Sequence, residues 1–271
     1  MSNNYAIFSD IDGTLVDNQQ QVSPTTIRTI NSLIDQHHHF SIATGRMLES
    51  GIAIAQQIGT QVDVIASNGA VIHANGQTSL SLLGANALRT IYPTIEKYRL
   101  STFFFTTNRV FYTNLLPDYF SADAQQRVAG TGQPKYAKVN NVDELVDHQK
   151  EIVNGIVISD ENPPALAAAK TALSSSNHFD ITSSSPNNIE ILPHDVTKAT
   201  AVQRYCELVG VPLNRSIAFG DGLNDLPMLK AVAVGVAMGN AQKQVQQSVP
   251  NHTQSNLDDG VANFLNKYFE V

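Results

Sequence analysis

Both ends of this chain alternate short apolar runs with helical patterns, and the middle does not. Tyr5-Ala6-Ile7-Phe8, Phe40-Ser41-Ile42-Ala43 and Val62-Asp63-Val64-Ile65 read as buried strands near the N-terminus. Ser216-Ile217-Ala218-Phe219 and Ala233-Val234-Gly235-Val236-Ala237 read the same way near the C-terminus. Continuous apolar runs separated by helices are the pattern of parallel strands buried on both faces. The predicted fold class is α/β, a doubly wound parallel sheet with helices on both faces.

The intervening helices carry their own start signals. Ser23-Pro24 opens one, with Ser as N-cap and Pro at the first helical position. Ile27, Ile30, Leu33 and Ile34 supply its apolar face. His37-His38-His39 ends it; neighbouring side chains diverge, so the run reads as a solvated helix end, not a metal site. A second helix, rich in Ala and Ile, runs to about Gln57. Val71-Ile72-His73 with Asn75-Gly76 reads as half a hairpin. Further helices are expected from Thr197 to Val209, after Gly239-Asn240-Ala241, and at the C-terminus with Val261, Phe264, Leu265 and Tyr268 on one side.

The texture changes at Leu83-Gly84. A helix over about 86–98 is followed by Thr102-Phe103-Phe104-Phe105 and Val110-Phe111-Tyr112 around a turn, an antiparallel hairpin signal. A helix is expected to begin at Pro117. Gly130-Thr131-Gly132-Gln133-Pro134-Lys135 lacks the glycine spacing and following hydroxyl of a phosphate loop, so it reads as an ordinary loop. Strands at 152–158 and 178–183 flank an Ala-rich helix near 163–173. The expected organisation is a core in two pieces, 1–83 and 189–271, with a small α+β cap inserted at 84–188.

Charge narrows the partners. The 271 residues carry a net charge of −7, which argues against a nucleic-acid backbone as ligand. A small phosphate ester needs only one local cationic pocket and stays possible. No basic head or long apolar run follows Met1, so neither a signal peptide nor a membrane span is expected, and the expected location is cytoplasmic. Cys206 is the single cysteine; it shares a helix with Val202 and Val209 and reads as core.

Phe8-Ser9-Asp10-Ile11-Asp12-Gly13-Thr14 follows the first strand. Extended alternation sends Asp10 and Asp12 the same way. Anions held that close repel unless a cation or a proton intervenes. A calcium loop would need its glycine at position six and a Glu at position twelve, and this stretch has neither. Alone, the stretch reads equally as a plain turn. Three more stretches follow the same logic. Thr44-Gly45 offers a hydroxyl and an open N–H after a strand, a grip for phosphate oxygens. Lys198 stands at a helix start, where the dipole disfavours a cation and an anionic ligand would explain one. Asp221 and Asp225, four apart, would share a helix face if Asp221 caps that helix. Hard oxygen ligands of this kind suit Mg²⁺.

Asp10-x-Asp12-Gly13-Thr14, Thr44-Gly45-Arg46, Lys198 and Gly220-Asp221-Gly222-x-Asn224-Asp225 resemble the four motifs of the haloacid dehalogenase superfamily. Asn68-Gly69-Ala70, Met238-Gly239-Asn240-Ala241 and Asp259-Gly260-Val261-Ala262 are similar to its Cof-type sugar-phosphatase branch, whose cap is inserted between the second and third motifs. Asp195 and Ala199 stand where that branch usually has Gly, and Leu223 where it is more often acidic. The resemblance implies an enzyme that hydrolyses small phosphomonoesters with Mg²⁺ through an aspartyl phosphate. It implies Asp10 as nucleophile and Asp12 as general acid, then base. It implies Thr44 and Lys198 on the phosphoryl oxygens, with Gly45 and Asn224 beside them. It implies Mg²⁺ on Asp10, the Asp12 backbone carbonyl and Asp221, with Asp225 near or bridging through water. A phosphotransferase or mutase using the same intermediate, and a non-catalytic phosphometabolite sensor, are the alternatives.

Overall fold

A computed structural model describes residues 4–116, 135–183 and 185–270. The helix expected at Pro117 and the stretch Gly130–Pro134 lie outside the described residues. Along the chain the strands are β1 (Ala6–Ser9), β2 (His39–Ala43), β3 (Asp63–Ala66), β4 (Val71–Ala74), β5 (Gln77–Leu80), β6 (Ser101–Phe105), β7 (Val110–Tyr112), β8 (Tyr136–Lys138), β9 (Asn154–Ile158), β10 (Phe179–Thr182), β11 (Asn188–Pro193), β12 (Ser216–Gly220), β13 (Val234–Ala237) and β14 (Asn251–His252). The helices are α1 (Pro24–Asp35), α2 (Leu48–Ile58), α3 (Gly84–Lys97), α4 (Val142–Asp147), α5 (Pro163–Leu173), α6 (Lys198–Val209), α7 (Leu226–Ala231), α8 (Lys243–Gln246) and α9 (Gly260–Phe269). No helix among the described residues is long and apolar enough to cross a membrane.

The chain divides into two compact units, Met1–Ser79 with Thr197–Val271, and Leu80–Val196. The first holds an eight-stranded sheet in the order β14-β13-β12-β1-β2-β3-β4-β5. β1 pairs in parallel with both β2 and β12. The order runs outward in opposite directions from β1 and β12, so the switch point of the sheet lies between them. Ligands of open α/β sheets bind outside the strand ends at that point. Asp10 directly follows β1 and Asp221 directly follows β12, so both acids emerge there.

Each element follows from its sequence. β1 and β12 are fully buried, as their unbroken apolar runs require. In α1 the Ser23 hydroxyl accepts the Thr26 N–H, and Ile30 and Leu33 face the core. Burying each such side chain contributes about 1.5–3 kcal/mol. α6 is pinned at two places. Its N-cap Thr197 forms a capping box with Thr200. Its middle carries Tyr205, fully buried, which meets Phe8 edge-on at 5.3 Å and donates its hydroxyl to Asp63 Oδ2 at 2.6 Å. The histidine run is not simply solvated. α1 stops at Asp35, His38 Nδ1 accepts the Tyr5 N–H at 3.0 Å and its ring lies 4.6 Å from Phe269, and His39 begins β2.

The second unit holds a six-stranded sheet, order β10-β11-β9-β6-β7-β8. The described helices α3, α4 and α5 pack on one face through Leu88, Ile91, Leu145 and Leu166, against Phe104, Phe111 and Val157. The expected boundary at 188 needs correction. β11 reads in sequence like a returning core strand, yet it pairs antiparallel with β9 and β10. Ile189 and Ile191 are buried in this unit's own core.

Candidate active site

Asp10 leaves β1 with its N–H donated to Phe219 O at 3.1 Å, and its side chain is buried. Lys198, the first residue of α6, is 2% exposed. Its Nζ donates to Asp10 Oδ1 at 2.7 Å and to Asp225 Oδ1 at 2.6 Å. Burial penalises the ammonium, but the two carboxylates outweigh it and hold the Lys198 pKa above its ordinary value. The cation at a helix start is thus explained: it bridges two buried acids.

Asp225 does not share a helix face with Asp221. It is itself the N-cap of α7, fully buried, and it folds back on its own loop. Its Oδ2 accepts the N–H groups of Asp221 (3.1 Å) and Gly222 (3.0 Å). Gly220 makes room for this fold: a Cβ there would stand 2.5 Å from the Cβ of Asp225. Both Asp225 oxygens are therefore engaged, one by Lys198 and one by the loop.

Asp221 is half-buried, and its Oδ1 accepts the Thr14 hydroxyl at 3.2 Å. Gly13 lies against it at φ +71°, where a Cβ would be 2.4 Å from Asp221 Oδ2. One carboxylate oxygen from each of Asp10, Asp221 and Asp225 lies within 4.8 Å of the others. Burial first, then the charges of Asp225 and Asp221, push Asp10 up to about 7, with Lys198 opposing. Burial and the Asp225 charge push Asp221 up to about 6. Repulsion of this kind is what a bound divalent cation relieves. Asp10, Asp221 and Asp225 are the acids whose oxygens could hold such a cation, and both Asp225 oxygens also accept hydrogen bonds.

Asp12 does not point with Asp10. The extended backbone stops at Asp10, and Ile11–Leu15 forms a wide turn closed by Val16 N–H to Ile11 O. The Asp12 carboxylate meets Arg46 instead: Nε donates to Oδ2 at 2.8 Å, and Nη2 donates to Oδ1 and to Gln20 Oε1. Partial burial pushes the Asp12 carboxyl up, the Arg46 guanidinium outweighs it, and the net position is below the ordinary carboxylate range. The Asp12 side chain stands outside the cluster of Asp10, Asp221 and Asp225.

Thr44 directly follows β2, the neighbour of β1, and is buried. Its hydroxyl accepts the Arg46 N–H at 3.1 Å. Gly45 is exposed beside Asn68, and Asn224 is exposed with its carboxamide folded over Gly222. The contacts of Thr14 with Asp221 and of Arg46 with Asp12 were not expected from the sequence. The signal was present: a hydroxyl two residues after Asp12, and a cation next to Thr44-Gly45.

Residues 7–265 match the haloacid dehalogenase-like hydrolase family. The chain is 29% identical to the 5-amino-6-(5-phospho-D-ribitylamino)uracil phosphatase YitU of Bacillus subtilis, with 98% of each covered. A haloacid dehalogenase-like hydrolase from Bacteroides thetaiotaomicron superposes with a TM-score of 0.81 at 23% identity, covering 98% of this chain and 100% of that one. The subclass IIB sugar phosphatase BT4131 superposes with a TM-score of 0.79 at 20% identity, covering 99% and 100%. At those identities the two structures speak for the fold. The family match covers nearly the whole chain, and with the acids gathered at the switch point it makes this protein an enzyme of the haloacid dehalogenase-like hydrolases.

Proposed function

We propose that the enzyme hydrolyses small phosphomonoesters, with Mg²⁺, through a phosphoryl group carried on Asp10. The observation that carries this reading is the buried Asp10–Lys198–Asp225 chain with Asp221 alongside. A carboxylate fixed by a cation beside a second acid is built to attack an electrophile that is itself an anion.

In the first step an Asp10 oxygen forms a bond to phosphorus and the bond from phosphorus to the ester oxygen breaks. Asp12 gives its proton to the departing alkoxide. In the second step Asp12 takes a proton from water, the water oxygen bonds to phosphorus, and the Asp10–phosphorus link breaks, freeing phosphate and restoring both carboxyl groups. Thr44 and Lys198 hold phosphoryl oxygens, with the Gly45 N–H and Asn224 beside them. Asp10, Asp221 and the Asp12 carbonyl would hold Mg²⁺, which offsets the repulsion between nucleophile and phosphoryl group. Asp225 supports them from behind by fixing Lys198 and the Asp221 loop.

The relatives support a substrate class. One is named for a phosphoribityl compound and one for sugar phosphates, both carrying phosphate on a hydroxylated carbon chain. Phosphorylated sugars and polyols are accordingly the proposed substrates, and the inserted unit Leu80–Val196 the proposed selector among them. A panel of phosphorylated metabolites, assayed for released phosphate with Mg²⁺ and with EDTA, tests the reading. Mg²⁺-dependent release from sugar or polyol phosphates is expected. Release undiminished by EDTA, or none from any phosphomonoester, overturns it.

A further inference from the structure

We infer that Asn240 is a positioning residue that holds the nucleophile loop from outside, an inference that rests on the phosphatase reading. The loop Ile11–Leu15 is not a regular helix: Asp12 (ψ 123°) and Gly13 (φ 71°) leave helical geometry inside it. A chain in that form needs its peptide planes fixed. On the inner side Thr14 does so through Asp221. On the outer side two asparagines do so, from segments more than two hundred residues away.

Asn240 follows β13, and its Nδ2 donates to Gly13 O at 2.7 Å. Its Oδ1 accepts the Asn256 N–H at 3.1 Å, so both ends of the carboxamide are committed and the amide cannot flip. Asn256 in turn donates from its own Nδ2 to Val16 O at 2.8 Å. The pair thus grips the loop at Gly13 and just past its end. Gly239 brings the two segments together, donating its N–H to Gln254 O at 3.0 Å.

The consequence falls on the reacting groups. The Gly13–Thr14 peptide lies between Asp12 and the Thr14 hydroxyl that meets Asp221. Rotation of that peptide would move Asp12, Thr14 and the Asp221 contact together. Asn240 is exposed, so its side chain adds little to the core. Its geometric commitment is to the catalytic loop. A displacement of about 1 Å at such a loop costs on the order of 10²-fold in rate.

The test uses the full chain with p-nitrophenyl phosphate and saturating Mg²⁺, together with hydrogen–deuterium exchange of the peptide covering residues 11–16. Asn240→Ala should lower kcat about 10–100-fold, leave KM nearly unchanged, and speed exchange in the loop peptide. Asn240→Gln, which keeps a donor on a longer arm, should recover part of kcat. Asn256→Ala should act in the same direction. An Asn240→Ala enzyme with wild-type kcat, or unchanged exchange over residues 11–16, overturns the inference. So does a loss that Gln does not recover and that merely follows a fall in melting temperature. An inactive wild type would count against the phosphatase reading instead, and the exchange measurement still decides whether Asn240 holds the loop.

Discussion

Arg46 clasps Asp12 through both carboxylate oxygens and thereby sets the charge of the residue assigned to the proton transfers. The pair favours the ionised form of Asp12, which takes a proton from water in the second step, and disfavours the protonated form that the first step uses.

Arg46→Gln should therefore raise the Asp12 pKa, because partial burial would then be opposed only by the Gln20 hydrogen bond and the Lys198 charge. When breakdown of the phosphoenzyme limits turnover, activity falls on the acid side as Asp12 takes up a proton. The acid limb of the kcat–pH profile should then move to higher pH. A limb that stays in place in the variant contradicts the assignment of Asp12 as base.

Asp221 and Asp225 are the same residue type four positions apart, but their surroundings give them opposite effects on stability. Asp225→Asn removes one partner of a buried ion pair and sets an amide against the Asp221 and Gly222 donors or against Lys198. The cost should be about 3–5 kcal/mol in urea denaturation. Asp221→Asn removes a like charge from beside Asp10 and Asp225 and should leave the metal-free protein as stable or more so, while raising the Mg²⁺ concentration needed for activity. If Asp221→Asn proves the more destabilising of the two, the division of roles is wrong.

The metal-free protein should lose stability as pH rises toward neutrality. Asp10 and Asp221 have folded-state pKa values of about 7 and about 6 against an ordinary 3.8. As pH rises above about 4 the unfolded chain releases these protons first, so the folded state binds more protons and stability falls with pH until both groups ionise. Lys198, raised above its ordinary value, contributes fully through this window and loses its contribution only in strong alkali. Melting temperatures in EDTA at pH 4–7, for wild type and Asp10→Asn, isolate the effect. The downward slope should be shallower in the variant, and Mg²⁺ should flatten it in wild type. Equal slopes in both proteins would mean that Asp10 is not the strained acid.

The sheet was legible because its strands are buried on both faces and leave unbroken apolar runs, such as Ile7-Phe8 and Ile217-Ala218-Phe219. Part of the candidate site was legible because the runs of β1 and β12 are followed by Asp10 and Asp221 at the same edge. What the sequence hid has no period. Asp225 turns inward because Gly220 lets it, and a four-residue spacing suggests a helix face instead. Asp12 turns to Arg46 because the wide turn ends the strand alternation, which nothing short of the backbone path reveals. β11 is rich in apolar residues like a core strand but joins the inserted unit, since pairing partners are a tertiary choice. Asn240 and Asn256 reach the loop through side chain–backbone hydrogen bonds across the chain, and such bonds leave no mark on local pattern.

The central claim is that phosphate passes through Asp10, and Asp12→Asn tests it most directly. The variant keeps the nucleophile and loses the proton donor and base. Because p-nitrophenolate departs without a proton, the first step should survive, while water attack slows by about 10²–10⁴-fold. Rapid-quench kinetics with mass spectrometry should show a burst near one nitrophenolate per site, then near-stalled turnover, with phosphate on Asp10. A steady rate without a burst and without modified Asp10, where wild type turns over, would contradict the account.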